Sequence, residues 1–187
     1  MNIWPVREAC REDWYKIRKF FKELDHTSRY MYFGGHVSND LIDSLWERFK
    51  SRNSDKFFVV DMGTQIIGVC QIAYTEDHAE IAVAVISKYR RQGVAHSLTE
   101  RAVVWCKTHD IRDLMMFCLP DNNVIQRIIQ KHKLLPLMLA APAEARFQVP
   151  DGQMSDYQQE VYRYTMSWWL NSSRRFFRTL FPTEHHR

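Results

Sequence analysis

His78-Ala-Glu-Ile-Ala-Val-Ala-Val-Ile-Ser-Lys-Tyr-Arg-Arg-Gln-Gly-Val-Ala-His-Ser-Leu98 runs an apolar, strand-like segment into a basic, glycine-punctuated turn and then a helix. Side chains alternate across a strand, so Ile81, Val83 and Val85 share one face and Glu80, Ala82 and Ala84 the other. Glu80 therefore stands beside two small residues, on a face with room for a ligand. Beyond the strand, Arg90-Arg91-Gln92-Gly93-Val94-Ala95 places a glycine and a small residue where a helix begins. Gly93 and Ala95 let backbone N–H groups approach a bound group, and the amides and dipole of a helix N-terminus favour phosphate.

Upstream, Ile3 to Arg7 reads as a short first strand, and Glu8 to Leu24 repeats Trp14, Ile17, Phe20 or Phe21, and Leu24 at helical spacing. Asp25 to Gly35 reads as a loop or short helix that closes over something, with Tyr30, Tyr32 and Phe33 ahead of the Gly34-Gly35 breaker. These aromatics are either substrate contacts or caps on the core. Ser38 is a good N-cap for a helix from Asn39 to Arg52, whose Leu41, Ile42, Leu45, Trp46 and Phe49 form one apolar stripe. Lys56 to Asp61 and Gln65 to Tyr74 flank the hairpin signal Met62-Gly63-Thr64, and with the strand at 78–86 they predict an antiparallel meander.

Downstream, a helix from Gly93 to His109 precedes the apolar strand Leu114 to Leu119, and a helix follows from about Asn123 to Lys133. Strand, turn, helix, strand implies a right-handed crossover with parallel pairing. The pattern predicts an α/β fold with one mixed sheet. Leu135 to Ala140 and Arg146 to Val149 supply two last strands, and Ser155 to Phe181 reads as a long aromatic helix with Arg174, Arg175 and Arg178 near its end. The stripe of Tyr157, Val161, Tyr164 and Trp168 predicts that this helix packs its aromatic face on the domain or on a second copy.

A chain of 187 residues is long enough for one well-buried domain with a tail. Hydrophobic residues at 45% and charged ones at 26% exclude bulk disorder. The net charge of +4 suits an anionic ligand and is too small to argue for nucleic acid. Cys10, Cys70, Cys106 and Cys118 show no C-x-x-C pairing, and the eight histidines no metal-ligand spacing, so neither disulfide framework nor metal is expected. With no signal pattern and no apolar run of about 18 residues, the expectation is a cytoplasmic protein that does not use a membrane.

Arg90-x-x-Gly93-x-Ala95 after a hydrophobic strand resembles the Gln/Arg-x-x-Gly-x-Gly/Ala signature of the GNAT acyltransferase superfamily. Ala79-Glu80-Ile81 resembles the position of the general-base glutamate in that superfamily's histone acetyltransferases. Asn122-x-x-Ile125-x-x-Ile128-Ile129-x-Lys131 is similar to its Asn-x-x-Ala-x-x-Leu-Tyr-x-Lys segment, with Ile129 where the family's proton-donating tyrosine stands. Ser28, Tyr30 and Phe33 resemble the Ser-x-Tyr-x-Arg-Phe box of bacterial Pat-type protein-lysine acetyltransferases, with Tyr32 at the arginine.

The resemblance implies a GNAT-like domain over residues 1–150, a mixed, mostly antiparallel sheet flanked by helices, with an additional C-terminal helix in an extension over 151–187. It implies acetyl-CoA as co-substrate, its pyrophosphate on Arg90, Arg91, Gln92, Gly93, Val94 and Ala95. Val83, Ala84 and Val85 would meet the pantetheine arm through backbone groups, and Asn122 would offer an amide at the far wall. Glu80 would be the general base, and Tyr30, Tyr32 and Phe33 would contact substrate. The implied activity is acetyl transfer from acetyl-CoA to a primary amine, a protein lysine first and a small-molecule amine second. No Cys or Ser is placed for a covalent intermediate, so the transfer is expected to be direct. A CoA-binding regulatory or scaffold protein with impaired turnover is the rival from another class, and a homodimer through the C-terminal helix is a possible assembly.

Overall fold

Strands rich in β-branched residues build the centre of the molecule. β2 (Asp55–Met62), β3 (Gln65–Tyr74) and β4 (His78–Val85) form the expected antiparallel meander. β5 (Asp113–Phe117) joins β4 in parallel, and β6 (Leu135–Ala140) and β7 (Glu144–Gln148) continue the sheet in antiparallel pairings. With β1 (Arg7–Glu8) on the opposite edge, the order is β1-β2-β3-β4-β5-β7-β6. The fold is thus a single mixed, mostly antiparallel sheet flanked by helices. The computed structural model describes residues 3–51, 55–117, 130–140 and 144–166. The helix expected from Asn123 to Lys133 lies mostly outside them, with 130–132 helical.

Each face of the sheet carries its own core. α4 (Val94–Thr108) crosses from β4 to β5 and buries Val94, Leu98, Ala102, Val103 and Cys106 against Phe58, Val60, Ile67, Ile72 and Ile81. Gly68 permits this approach, because a Cβ there would stand 2.6 Å from Val94 Cγ1 and 2.9 Å from Leu98 Cδ1. On the other face, α1 (Trp14–Glu23) and α3 (Asn39–Ser51) pack Ile17, Phe20, Phe21, Ile42 and Trp46 over Phe57, Val59, Val69 and Ala84, with the partly buried Tyr32 and Phe33 of α2 (His26–Phe33) beside them. Fully burying side chains of this size stabilises by about 1.5–3 kcal/mol each. Ser38 caps α3 as its position predicts, its Oγ accepting from the Leu41 N–H at 3.2 Å.

The first strand is Arg7–Glu8 and not Ile3 to Arg7, and α1 begins at Trp14 after a 3-10 turn at Arg11–Asp13. Pro5 has no N–H for a ladder, and Trp4 is drawn over α4. Its backbone N–H donates to Ser97 Oγ at 3.1 Å and its indole N–H to the Gln92 carbonyl at 2.8 Å. Arg7, 4% exposed, pairs bidentately with Asp13 at 2.6 and 2.9 Å and also donates to Asp61 at 2.7 Å.

The C-terminal helix, α5, spans 154–166 among the described residues, and there it does not turn its aromatic face onto the domain, the first of the two expected packings. Asp156, Gln159, Glu160 and Arg163 form its half-buried side, whereas Met154, Tyr157, Val161 and Tyr164 are exposed. The cause lies on α4. Arg101 is 2% exposed and lies over the Phe58 ring, so its charge requires a carboxylate, which Glu160 supplies through hydrogen bonds of 2.6 and 2.8 Å. A homodimer through α5 would have to use the outward aromatic side.

Candidate active site

The strand register assembles the first half of the site. Asp55, Ala73, Glu80, Met115 and Arg146 stand in one cross-strand row over β2, β3, β4, β5 and β7. Strands lie about 4.8 Å apart, so Asp55 and Arg146 are each about 10 Å from Glu80 along the row. All five line one open cleft of about 360 Å³, with Tyr74, Thr75, His78 and Asp113 completing its wall. Glu80 is half-buried there, and the small Ala73 keeps the space beside it open.

The second half lies where the described pairing between β4 and β5 ends. β4 pairs with β5 from His78↔Asp113 to Ile81↔Met116, and no pairing follows beyond that point among the described residues. Ile86 donates its N–H to the Ile67 carbonyl on β3, so the alternation of a ladder turns the N–H and C=O of Val83 and Val85 the other way, away from β3. Their side chains serve the core, Val85 buried and Val83 packed beside it, while Ala84 is buried on the opposite face. Backbone donors and acceptors at a strand edge with no ladder partner among the described residues fit an amide-bearing ligand arm.

At the end of β4 the chain turns into α4. Gly93 is the N-cap at φ +89° with no side-chain cap, and the first helical bond runs from the Ser97 N–H to the Gly93 carbonyl. The amides of Val94, Ala95 and His96 precede that bond and are available to an anion. Arg91, exposed, also holds a left-handed conformation at φ +62°, which disfavours a side chain by about 1 kcal/mol or more. The Gln92 carbonyl accepts from Trp4, and its side-chain amide donates to the Lys88 carbonyl at 3.0 Å, so this turn is braced from outside. Arg90 is engaged: it pairs with Asp25, reaches Ser28 Oγ, and donates from Nε to the Val85 carbonyl at 3.3 Å. Asn122 and Ile129 lie outside the described residues.

α2 distributes its three aromatics unevenly. Tyr32 donates its hydroxyl to Gln71 Oε1 at 2.8 Å, and Gln71 Nε2 donates to Asp55 Oδ2 at 3.2 Å, a relay that reaches the Glu80 row. Burial, and then the neighbouring Cys70, Asp55 and Glu80, hold the Tyr32 hydroxyl far above its ordinary range, so it remains a neutral donor. Phe33 packs on Phe21 with ring centroids 5.4 Å apart. Tyr30 is exposed and lines a different hollow, with His26, His36 and Leu41, on the outer side of α2. Sequence reading missed Gln71, Asp55, Arg146 and Asp25. The period of two on β3 places Gln71 on the Glu80 face, and Asp25 carries the signal of an N-cap, so two of the four had a local signature.

The three thiols among the described residues, Cys10, Cys70 and Cys106, are unsuited to nucleophilic work. Burial pushes Cys106 up to about 12 and Cys70 further, and burial with the Asp13 hydrogen bond pushes Cys10 up to about 12. Among the described residues no group of three or more His, Cys, Asp or Glu side chains is arranged to hold a metal ion. Likewise, no helix among them is long and apolar enough to cross a membrane.

The family model described as Acetyltransferase (GNAT) family matches residues 12–132. Solved structures of similar shape include the GNAT domain of S. lividans PAT, with a TM-score of 0.59 and 18% identity over 79% of this chain and 93% of that one. Spermidine N-acetyltransferase from Vibrio cholerae, in complex with CoA and spermine, gives 0.57 and 16% over 79% and 95%. Ribosomal-protein-S5-alanine acetyltransferase from Vibrio fischeri gives 0.54 and 15% over 79% and 93%. No protein of curated function matches the sequence.

Proposed function

The chain belongs to the GNAT acetyltransferase family, and on that premise we propose that it transfers an acetyl group from acetyl-CoA directly to a primary amine, a protein lysine foremost. The observation that carries this reading is the double duty of β4. Its first half presents Glu80 to the cleft, and its second half turns the backbone of Val83 and Val85 to the edge leading to the amides of α4.

Acetyl-CoA supplies an activated thioester whose carbonyl accepts the amine. The uncapped amides of Val94, Ala95 and His96 would hold its pyrophosphate, with Arg90 or Arg91 adding charge, and the backbone of Val83 and the N–H of Val85, whose carbonyl already accepts from Arg90, would pair with the amides of its arm. Glu80 takes a proton from the acceptor ammonium, so that the nitrogen lone pair can attack; the sulfur then departs with the electrons of the C–S bond and takes up the second proton that the nitrogen sheds as the amide forms. Asp55 and Asp113 share the cleft wall and favour a cationic acceptor. Holding both reactants on one strand converts a bimolecular encounter into a local one, which carries much of the rate. The raised thiols of Cys10, Cys70 and Cys106 support transfer without an acetyl-enzyme.

A small amine with several charges is the second reading, favoured by three carboxylates, Asp55, Glu80 and Asp113, lining one cleft. Arg146 on the same wall would repel a second ammonium and weighs toward a peptide. The deciding experiment incubates the protein with acetyl-CoA and a mixed pool of lysine peptides and small polyamines, read by mass spectrometry. Acetylated lysine side chains are expected; turnover of polyamines alone would move the acceptor to the second reading, and CoA binding without any product would leave a regulatory protein.

A further inference from the structure

We propose that Asp25 is a positioning residue that couples the cofactor turn to the acceptor-side helix α2, holding Arg90 until a phosphate competes for it. This rests on the reading of residues 90–95 as the pyrophosphate site.

Asp25 is the N-cap of α2, its Oδ1 accepting from the Ser28 N–H at 3.0 Å. That bond alone satisfies the cap. Its Oδ2 does three further things: it accepts from the Ser28 hydroxyl at 3.0 Å, from the Ser87 hydroxyl at 2.6 Å, and from Arg90 Nη2. Ser87 lies two residues past the end of β4 and Arg90 opens the turn before Gly93, so one carboxylate ties α2 to the loop that carries the candidate phosphate site. The other end of α2 is tied to the acceptor cleft through Tyr32, Gln71 and Asp55. α2 therefore touches both halves of the site.

The Arg90–Asp25 pair is exchangeable by construction. Its side chains are 43% and 37% exposed, and ion pairs so placed are weak. A guanidinium is a planar fork that suits phosphate as well as carboxylate, and a pyrophosphate at the amides of α4 offers more charge than one aspartate. With Asp25 ionised, cofactor binding must share or break the pair. Removing its charge then has effects of opposite sign on the two substrates: Arg90 is freed for phosphate, while α2 loses its tie to β4 and the acceptor side loosens. A residue that merely held the fold together would weaken both when changed.

The test uses Asp25→Asn, because Asn is itself a good N-cap and keeps α2 closed, with Asp25→Ser as a second uncharged capping variant. CoA affinity is measured by calorimetry, and the acceptor KM by steady-state acetyl transfer. Both variants should bind CoA about two- to fivefold more tightly than wild type while the acceptor KM rises. Asp25→Glu should restore CoA affinity to near the wild-type value. In an Arg90→Gln background Asp25→Asn should no longer tighten CoA, since the coupling runs through that guanidinium. Weaker CoA binding in both variants, or equal tightening with and without Arg90, would overturn the coupling while leaving the cofactor site intact. Failure of the wild-type protein to bind CoA would instead remove the pyrophosphate reading, and the coupling with it.

Discussion

At the scale of single residues, Glu80 bears the heaviest chemical assignment. Glu80→Gln keeps shape and most hydrogen bonding but cannot take a proton, so turnover is expected to fall by about 100-fold while CoA affinity stays near its original value. Parallel calorimetry and initial-rate measurements check this; unchanged turnover at every pH would return Glu80 to the role of a strand residue. A second residue, Asp13, sets acid stability. Burial alone would raise its pKa, but the hydrogen bonds and charge of Arg7 lower it from an ordinary 3.8 to about 2. A depressed carboxylate contributes stability that is fully present above the unfolded value and is lost as pH falls through the folded one. The window is therefore about pH 4 to 2, and the contribution is on the order of 2 kcal/mol. Urea unfolding across that range should show the loss in wild type and a shallower one in Asp13→Asn; equal slopes would contradict the pairing with Arg7.

At the scale of elements, α5 shows what an amphipathic pattern leaves out. Its Tyr157, Val161 and Tyr164 stripe predicts an aromatic face packed on the domain or on a second copy, and one buried arginine on α4 turns that stripe away from the domain. That contact links positions 59 apart in sequence, and no periodicity reports it. Glu160→Ala should leave Arg101 buried beside Arg163 without its carboxylate, at a cost of about 3–5 kcal/mol. Replacing the pair together, Arg101→Met with Glu160→Leu, should recover most of the loss. Chemical denaturation of the single and double variants measures both, and a single variant as stable as wild type would show that α5 is held some other way. By contrast, the α3 cap at Ser38, the β3 boundaries and the two faces of β4 were legible, because each depends on neighbours within a few residues. Arg90 was legible as a basic turn residue but not as the partner of Asp25, which lies 65 residues earlier in the chain.

At the scale of the whole molecule, the candidate phosphate site exists only in the folded state, since it needs β4, the Gly93 turn and α4 in register. A ligand that binds only the native form stabilises it by mass action, so CoA at 100 times its dissociation constant should add about 2.7 kcal/mol. A melting curve unmoved by saturating CoA would remove the cofactor assignment. The fold class itself was open to sequence reading, because a hairpin, a meander and one crossover leave few topologies. The cleft was less so: its row of Asp55, Glu80 and Arg146 depends on the pairing register of five strands. The claim that unites these parts is direct transfer of the acetyl group from cofactor to amine across β4, and isotope tracing tests it most directly. The protein is mixed with acetyl-CoA labelled in the acetyl carbons, first alone and then with a lysine peptide, and intact masses are followed in time. The protein mass should stay unchanged before the peptide is added, and the label should then appear on the peptide's lysine side chain. Label on a cysteine of the protein before the peptide is added, or a peptide that never gains it, would contradict direct transfer.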